Sequence, residues 1–221
     1  MSGAETTTVI PLTRMRKAIA KTMTASAAIP QFAVEMGLDV RPLAAARGQL
    51  PAESRPSVID ALVASCAAAL RDRPQINCSF TDEGIVLHEE VNVALALALE
   101  DGLISPAIVR ADTLSIEQLA AERKRLTEAA RAGALAPEEI LSATFTISNL
   151  GPLGVRRFNA LIVPPQAAIL AVGGIEGEVM SLSLTVDHRP IDGAPAAEFL
   201  GQVRSQLEDE SWLGTLFSSV S

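Results

Sequence analysis

The sequence predicts an α/β domain with a mixed sheet, and three observations carry that prediction. Hydrophobic residues make up 48% of the 221-residue chain and charged residues 20%, which permits a packed core and weighs against extended disorder. Short apolar runs joined by tight turn signals, such as Asp82-Glu83-Gly84, imply antiparallel hairpins. Longer stretches of helical periodicity between other strands imply crossovers, so parallel and antiparallel neighbours share one sheet.

The elements follow in order. A polar leader over residues 1–8 precedes a single domain over 9–221. Thr13 starts a helix in which Met15, Ile19 and Met23 form one apolar stripe opposite a basic face, and Ile29-Pro30 ends it. Gln31 to Val40 alternates as a half-buried strand. A short helix from Pro42 and a loop around Pro51 lead to the Ala/Leu-rich helix Val58 to Arg71, whose wide apolar face calls for burial on a sheet. Ile76 to Phe80 and Ile85 to Leu87 form a hairpin. Val91 to Leu99 and Leu103 to Val109 are strands either side of Glu100-Asp101-Gly102. Ser115 caps an amphipathic helix whose charges match its dipole and which Gly133 ends. Ser142 to Ser148 is a strand after a turn at Pro137. Ala167 to Val172 and Val179 to Val186 pair across Gly173 to Gly177, and Ala194 to Leu207 is the last helix.

Composition excludes several function classes. Aromatic residues are 3% of the chain, with no Tyr, which disfavours base stacking. Eighteen basic and 26 acidic residues leave a net charge of −8, which repels a phosphate backbone and argues against nucleic acid. Cys66 and Cys78 lack CxxC spacing and a partnering His cluster, so they read as core thiols in a reducing cytoplasm, with no metal site. No signal peptide and no apolar run of about 20 residues is present, so the chain is expected to be cytoplasmic, without a membrane anchor.

Two histidines bear on chemistry. His88, beside Glu89 and Glu90, reads as a solvated surface residue. His188 follows an alternating strand and precedes a Pro-containing turn, which sets an imidazole at a strand end where a cleft can form. Asp192 stands four residues on, at the expected N-cap of the last helix, and Gly193 permits a close turn there.

The segment Asp187-His188-Arg189-Pro190-Ile191-Asp192-Gly193 resembles the active-site motif of the dihydrolipoamide acyltransferase catalytic domain, and chloramphenicol acetyltransferase is similar there. The resemblance runs from about Val9 to Leu207. It includes Pro11 to Ala20, Val91-Asn92-Val93-Ala94, Asp101 to Pro106, Thr144 to Gly151 and Pro164 to Gly173. It implies a chloramphenicol acetyltransferase-like α/β fold, an acyl-CoA such as acetyl-CoA as co-substrate, no metal, and a homotrimer with its active site at a subunit boundary. In that scheme His188 is the general base and Ser148 the oxyanion donor from a neighbouring chain. Asp192 is paired with Arg16, or failing that Arg14, to hold the loop. Arg189 serves the same structural end, and Asn149 and Gly151 shape the loop after the Ser148 strand.

Against the family pattern, the chain is expected to carry no lipoyl domain, no lipoyl group and no peripheral-subunit-binding domain ahead of the motif-bearing region. Its hairpin after Gly173 is short and its C-terminus differs. The leader and hairpin favour a stand-alone acyltransferase acting on a small-molecule hydroxyl or thiol, such as a tetronate-type intermediate. The alternatives are the catalytic core of a 2-oxo acid dehydrogenase complex, which takes dihydrolipoamide, and a non-catalytic structural core.

Overall fold

A computed structural model describes residues 7–99 and 102–220. Most of the polar leader and the expected turn at Glu100 and Asp101 lie outside the described residues. Thr13 accepts the Arg16 amide and opens α1 (Arg14–Ala27), as its position predicts. β1 (Gln31–Asp39) and α2 (Arg41–Gly48) follow. A reciprocal Ser57–Asp60 capping box starts α3 (Val58–Asp72). β2 (Cys78–Thr81) and β3 (Gly84–Leu87) form the expected hairpin.

The two strands expected at 91–99 and 103–109 are each broken. They become β4 (Val93–Leu95), β5 (Leu97–Leu99), β6 (Gly102–Ile104) and β7 (Ala107–Ile108). Pro106 offers no amide to a ladder and accepts one instead, from Leu95. Ala96 turns its own amide to Ile147. The chain continues through α4 (Ile116–Ala132), α5 (Pro137–Leu141) and β8 (Phe145–Asn149). β9 (Ala168–Glu176) and β10 (Val179–Asp187) run further than expected, because Gly177, at φ 63°, closes the hairpin in two residues. α6 (Gly193–Glu208) is the expected last helix, but a further one follows, α7 (Glu210–Phe217). Asp209 ends the first and caps the second through the Trp212 amide.

The main sheet has the order β1-β10-β9-β8-β4-β7. β9 and β4 flank β8 in parallel, and the remaining neighbours are antiparallel. The sheet is therefore mixed, as predicted. One face carries Ile147, Leu170, Val172, Leu182, Leu184 and Val186, and packs with α3 and α6 into the core. Phe145 meets Phe199 of α6 with ring centroids 5.7 Å apart. The other face presents Thr146, Ser148, Ser183, Thr185 and Asp187. Segment 150–166 partly closes that face: Thr146 donates to Gln166 (2.6 Å), and Ser183 meets the Asn159 side chain (2.6 Å). Cys66 and Cys78 are buried free thiols, in keeping with their core reading.

Candidate active site

β10 delivers His188 to the end of the sheet. The His188 amide donates to the Pro30 carbonyl (2.8 Å), which ties the turn to the start of β1. The imidazole leans on Phe32, with ring centroids 4.5 Å apart and planes tilted by 49°. Its side chain is 52% exposed, so one ring face rests on a support and the other edge is open to a reactant.

Asp192 is less engaged than its position suggested. It occupies the N-cap site of α6 without a side-chain capping bond. Its carboxylate is 86% exposed and approaches His188 Nδ1 at 3.7 Å, beyond hydrogen-bond reach. The expected pairing with Arg16, or with Arg14, does not form within the chain. Both arginines sit in the exposed first turn of α1, and neither makes an ion pair among the described residues. Gly193 is also freer than expected: a methyl group there meets nothing within 4 Å, and its φ is not positive.

The firm clamp is one position before His188. Asp187 is buried, and its carboxylate accepts Arg189 Nε (3.0 and 3.1 Å), Arg189 Nη2 (2.6 Å) and the Arg189 amide (2.9 Å). The guanidinium lies 4.3 Å from the centre of the Phe80 ring on β2. That carboxylate, by hydrogen bonding, pushes the Arg189 pKa upward. Sequence reasoning gave Arg189 a structural role but assigned none to Asp187 or Phe80. The acid-x-base spacing across a turn was the available signal.

Ser148 lies near the C-terminal end of β8, with Ala171 and then Ser183 beside it in register. Ser183 precedes His188 by five positions on β10. At ~3.3 Å per residue along a strand and ~4.8 Å between strands, Ser148 and His188 are about 19 Å apart. They also face opposite ways, Ser148 with the polar face and His188 with Phe32 on the core side. The structure thus does not bring them together in one chain.

Asn149 accepts the Gly151 amide (3.0 Å), which bends the chain after the strand. The bend is tight: a methyl on Gly173 of β9 would lie 2.1 Å from the Arg156 carbonyl oxygen. An apolar cavity of about 300 Å³ opens there, lined by residues including Val58, Leu62, Asn149, Val172 and Met180. His88, expected on the surface, is instead half-buried, with Nε2 2.8 Å from Ser79 Oγ.

The arrangement offers an accessible imidazole on a fixed turn and, two strands away, a serine on the polar face of the sheet. Comparison with known proteins identifies where such an arrangement belongs. The family model described as 2-oxoacid dehydrogenases acyltransferase (catalytic domain) matches residues 4–214. The dihydrolipoyllysine-residue acetyltransferase component of the Rhizobium meliloti pyruvate dehydrogenase complex is 36% identical over 91% of this chain and 50% of the relative. The corresponding component of the Bacillus subtilis acetoin cleaving system is 37% identical over 92% of this chain and 56% of its own length. The chain thus spans about half the length of these curated relatives.

Among solved structures, a probable dihydrolipoamide acetyltransferase from Listeria monocytogenes aligns with a TM-score of 0.88 at 30% identity, covering 94% of this chain and 97% of that one. The Azotobacter vinelandii dihydrolipoamide acetyltransferase aligns equally well, covering 94% of each chain. Its catalytic mechanism has been studied through one serine, one histidine and an asparagine four residues after that histidine. Asp192 stands at the same spacing from His188. Chloramphenicol acetyltransferase, at 15% identity and a TM-score of 0.52, shares the fold. The matched model, the two curated relatives and the shared architecture place this chain in the 2-oxoacid dehydrogenase acyltransferase family, over the catalytic domain.

Proposed function

We propose that the chain moves an acetyl or other short acyl group between coenzyme A and a dihydrolipoyl thiol. A single observation carries the reading. The exposed His188 imidazole stands on the family's motif, in a fold shared along more than nine-tenths of the chain with a dihydrolipoamide acetyltransferase. In the forward direction His188 takes the proton of the thiol, and the thiolate attacks the thioester carbonyl. The Ser148 hydroxyl donates to the oxyanion that forms. Collapse of the tetrahedral species expels the other thiolate, which recovers the proton from His188. Asp192 serves as support rather than proton carrier, in keeping with the asparagine at that spacing in the Azotobacter enzyme.

The reading requires His188 and Ser148 to come from different chains, since the register holds them apart in one. A homotrimer with the site at each subunit boundary satisfies this. The expected small-molecule hydroxyl acceptor, of tetronate type, has less in its favour, because the relatives named above are dihydrolipoamide enzymes. An acceptor assay with acetyl-CoA decides between the two. Formation of S-acetyl-dihydrolipoamide, lost in His188→Ala, is expected. Acetylation of hydroxyl acceptors alone would overturn the reading, and equal rates in His188→Ala would point to a structural core.

A further inference from the structure

The geometry points to Asp187, Arg189 and Phe80 as positioning residues that set the His188 imidazole for proton transfer. The inference rests on the acyl-transfer reading of His188. A base must hold its ring within a fraction of an ångström of the productive geometry. Asp192 does not supply that restraint, being 86% exposed and 3.7 Å from the ring.

Four contacts brace the turn instead. The Asp187 amide donates to the Ala167 carbonyl (2.8 Å), and the Ile191 amide donates back to the Asp187 carbonyl (3.1 Å). The Asp187 side chain, 3% exposed, is gripped by the Arg189 fork and the Arg189 amide. The guanidinium, 37% exposed, is in turn laid over Phe80. His188 is thus the residue between two partners of a bidentate ion pair, and the β2–β3 hairpin anchors that pair from outside the main sheet. A planar fork fixes direction as well as distance, which a lysine ammonium does not.

The chain contains two histidines, so selective labelling of histidine Cε1 yields two NMR signals, assigned by His88→Gln and His188→Gln. Arg189→Lys keeps the charge but loses the fork. Its expected effect is a fall in kcat of about 10- to 100-fold with KM for both substrates within about twofold. The His188 signal is expected to broaden or move while that of His88 stays. Phe80→Leu is expected to lower kcat by a few-fold, through loss of the aromatic face. Leaving a buried carboxylate unpaired can unfold a protein, so Asp187→Asn combined with Arg189→Gln provides a variant without a buried charge. It should fold, move the His188 signal and remain impaired in kcat. Wild-type kcat in Arg189→Lys and in the double variant would overturn the inference. So would a fall in kcat with an unmoved His188 signal, a loss confined to KM, or joint displacement of both histidine signals. Wild-type inactivity with dihydrolipoamide would sink the functional reading alone, since the NMR signals still report on positioning.

Discussion

Ser148 on β8 and His188 just past the end of β10 stand two strands apart and five residues out of line, with Ser148 on the polar face and His188 against Phe32 on the other. Ser148 is aligned with Ser183 through Ala171, five positions before His188 on β10. No side-chain rotation spans that gap, so the two groups act on one carbonyl only if separate copies contribute them.

Complementation follows from that register. His188→Ala and Ser148→Ala are each expected to lose activity by about 100-fold or more. Co-expressed in equal amounts, they should recover about one quarter of wild-type activity, because one interface in four joins an intact His188 to an intact Ser148. Recovery no greater than the sum of the separate variants would show that the site does not span two chains.

Two glycines near the site should respond in opposite ways. Gly173 faces the Arg156 carbonyl so closely that Ala places a methyl 2.1 Å from that oxygen. Backbone must then move, and segment 150–157, which begins just after Ser148, moves with it. Gly173→Ala should lower Tm by several degrees and reduce activity, on the order of an overpacked core change of about 1–3 kcal/mol. Gly193, in the first turn of α6 with nothing within 4 Å, should accept Ala with Tm unchanged or raised. Paired thermal melts check both, and a destabilised Gly193→Ala would refute the free-space account.

The contrast shows what the sequence could reveal. Capping at Thr13 and Ser115, the hairpin turns and the alternating strands depend on local chemistry, and most of the sheet was legible from them. Gly193 beside a Pro-containing turn carries the same local signal as a constrained glycine, and only the packing shows the space around it to be empty. The Asp192–Arg16 pairing needed two elements far apart in sequence to meet, and no local pattern reports that. Asp187 and Arg189 were adjacent to the recognised histidine, but their pairing across a turn depends on a burial that period-two alternation does not reveal past the strand end. The helix at Glu210–Phe217 was missed because Asp209 both ends one helix and caps the next.

His88 predicts a pH effect on stability. Burial lowers its pKa below the ordinary 6.5. The folded chain therefore binds a proton there less readily than the unfolded chain does, and acid favours unfolding. The stabilisation is complete above pH 6.5 and is lost as pH falls through the folded pKa below it. His88→Gln, which keeps a polar partner for Ser79, should flatten the dependence of Tm on pH in that window. Parallel curves for variant and wild type would remove His88 as the cause.

The Asp60–Arg123 pair tests how α3, the helix beneath the sheet, is held. Asp60 caps α3 by accepting both the amide and hydroxyl of Ser57 at 2.7 Å, and its carboxylate also accepts Arg123 Nε (2.5 Å) and Nη2 (3.2 Å) from α4. The carboxylate is almost fully buried, whereas Arg123 retains some contact with water. Arg123→Met keeps the apolar stem but strands a buried charge. Removing one partner of such a pair costs about 3–5 kcal/mol, which should appear as a lower urea midpoint at unchanged slope. Adding Asp60→Asn removes the stranded charge and leaves an amide that can still cap Ser57, so the double variant should recover much of the loss. Additive losses in the double variant would mean that the two side chains stabilise the fold independently, through the cap and the stem, and not as a pair.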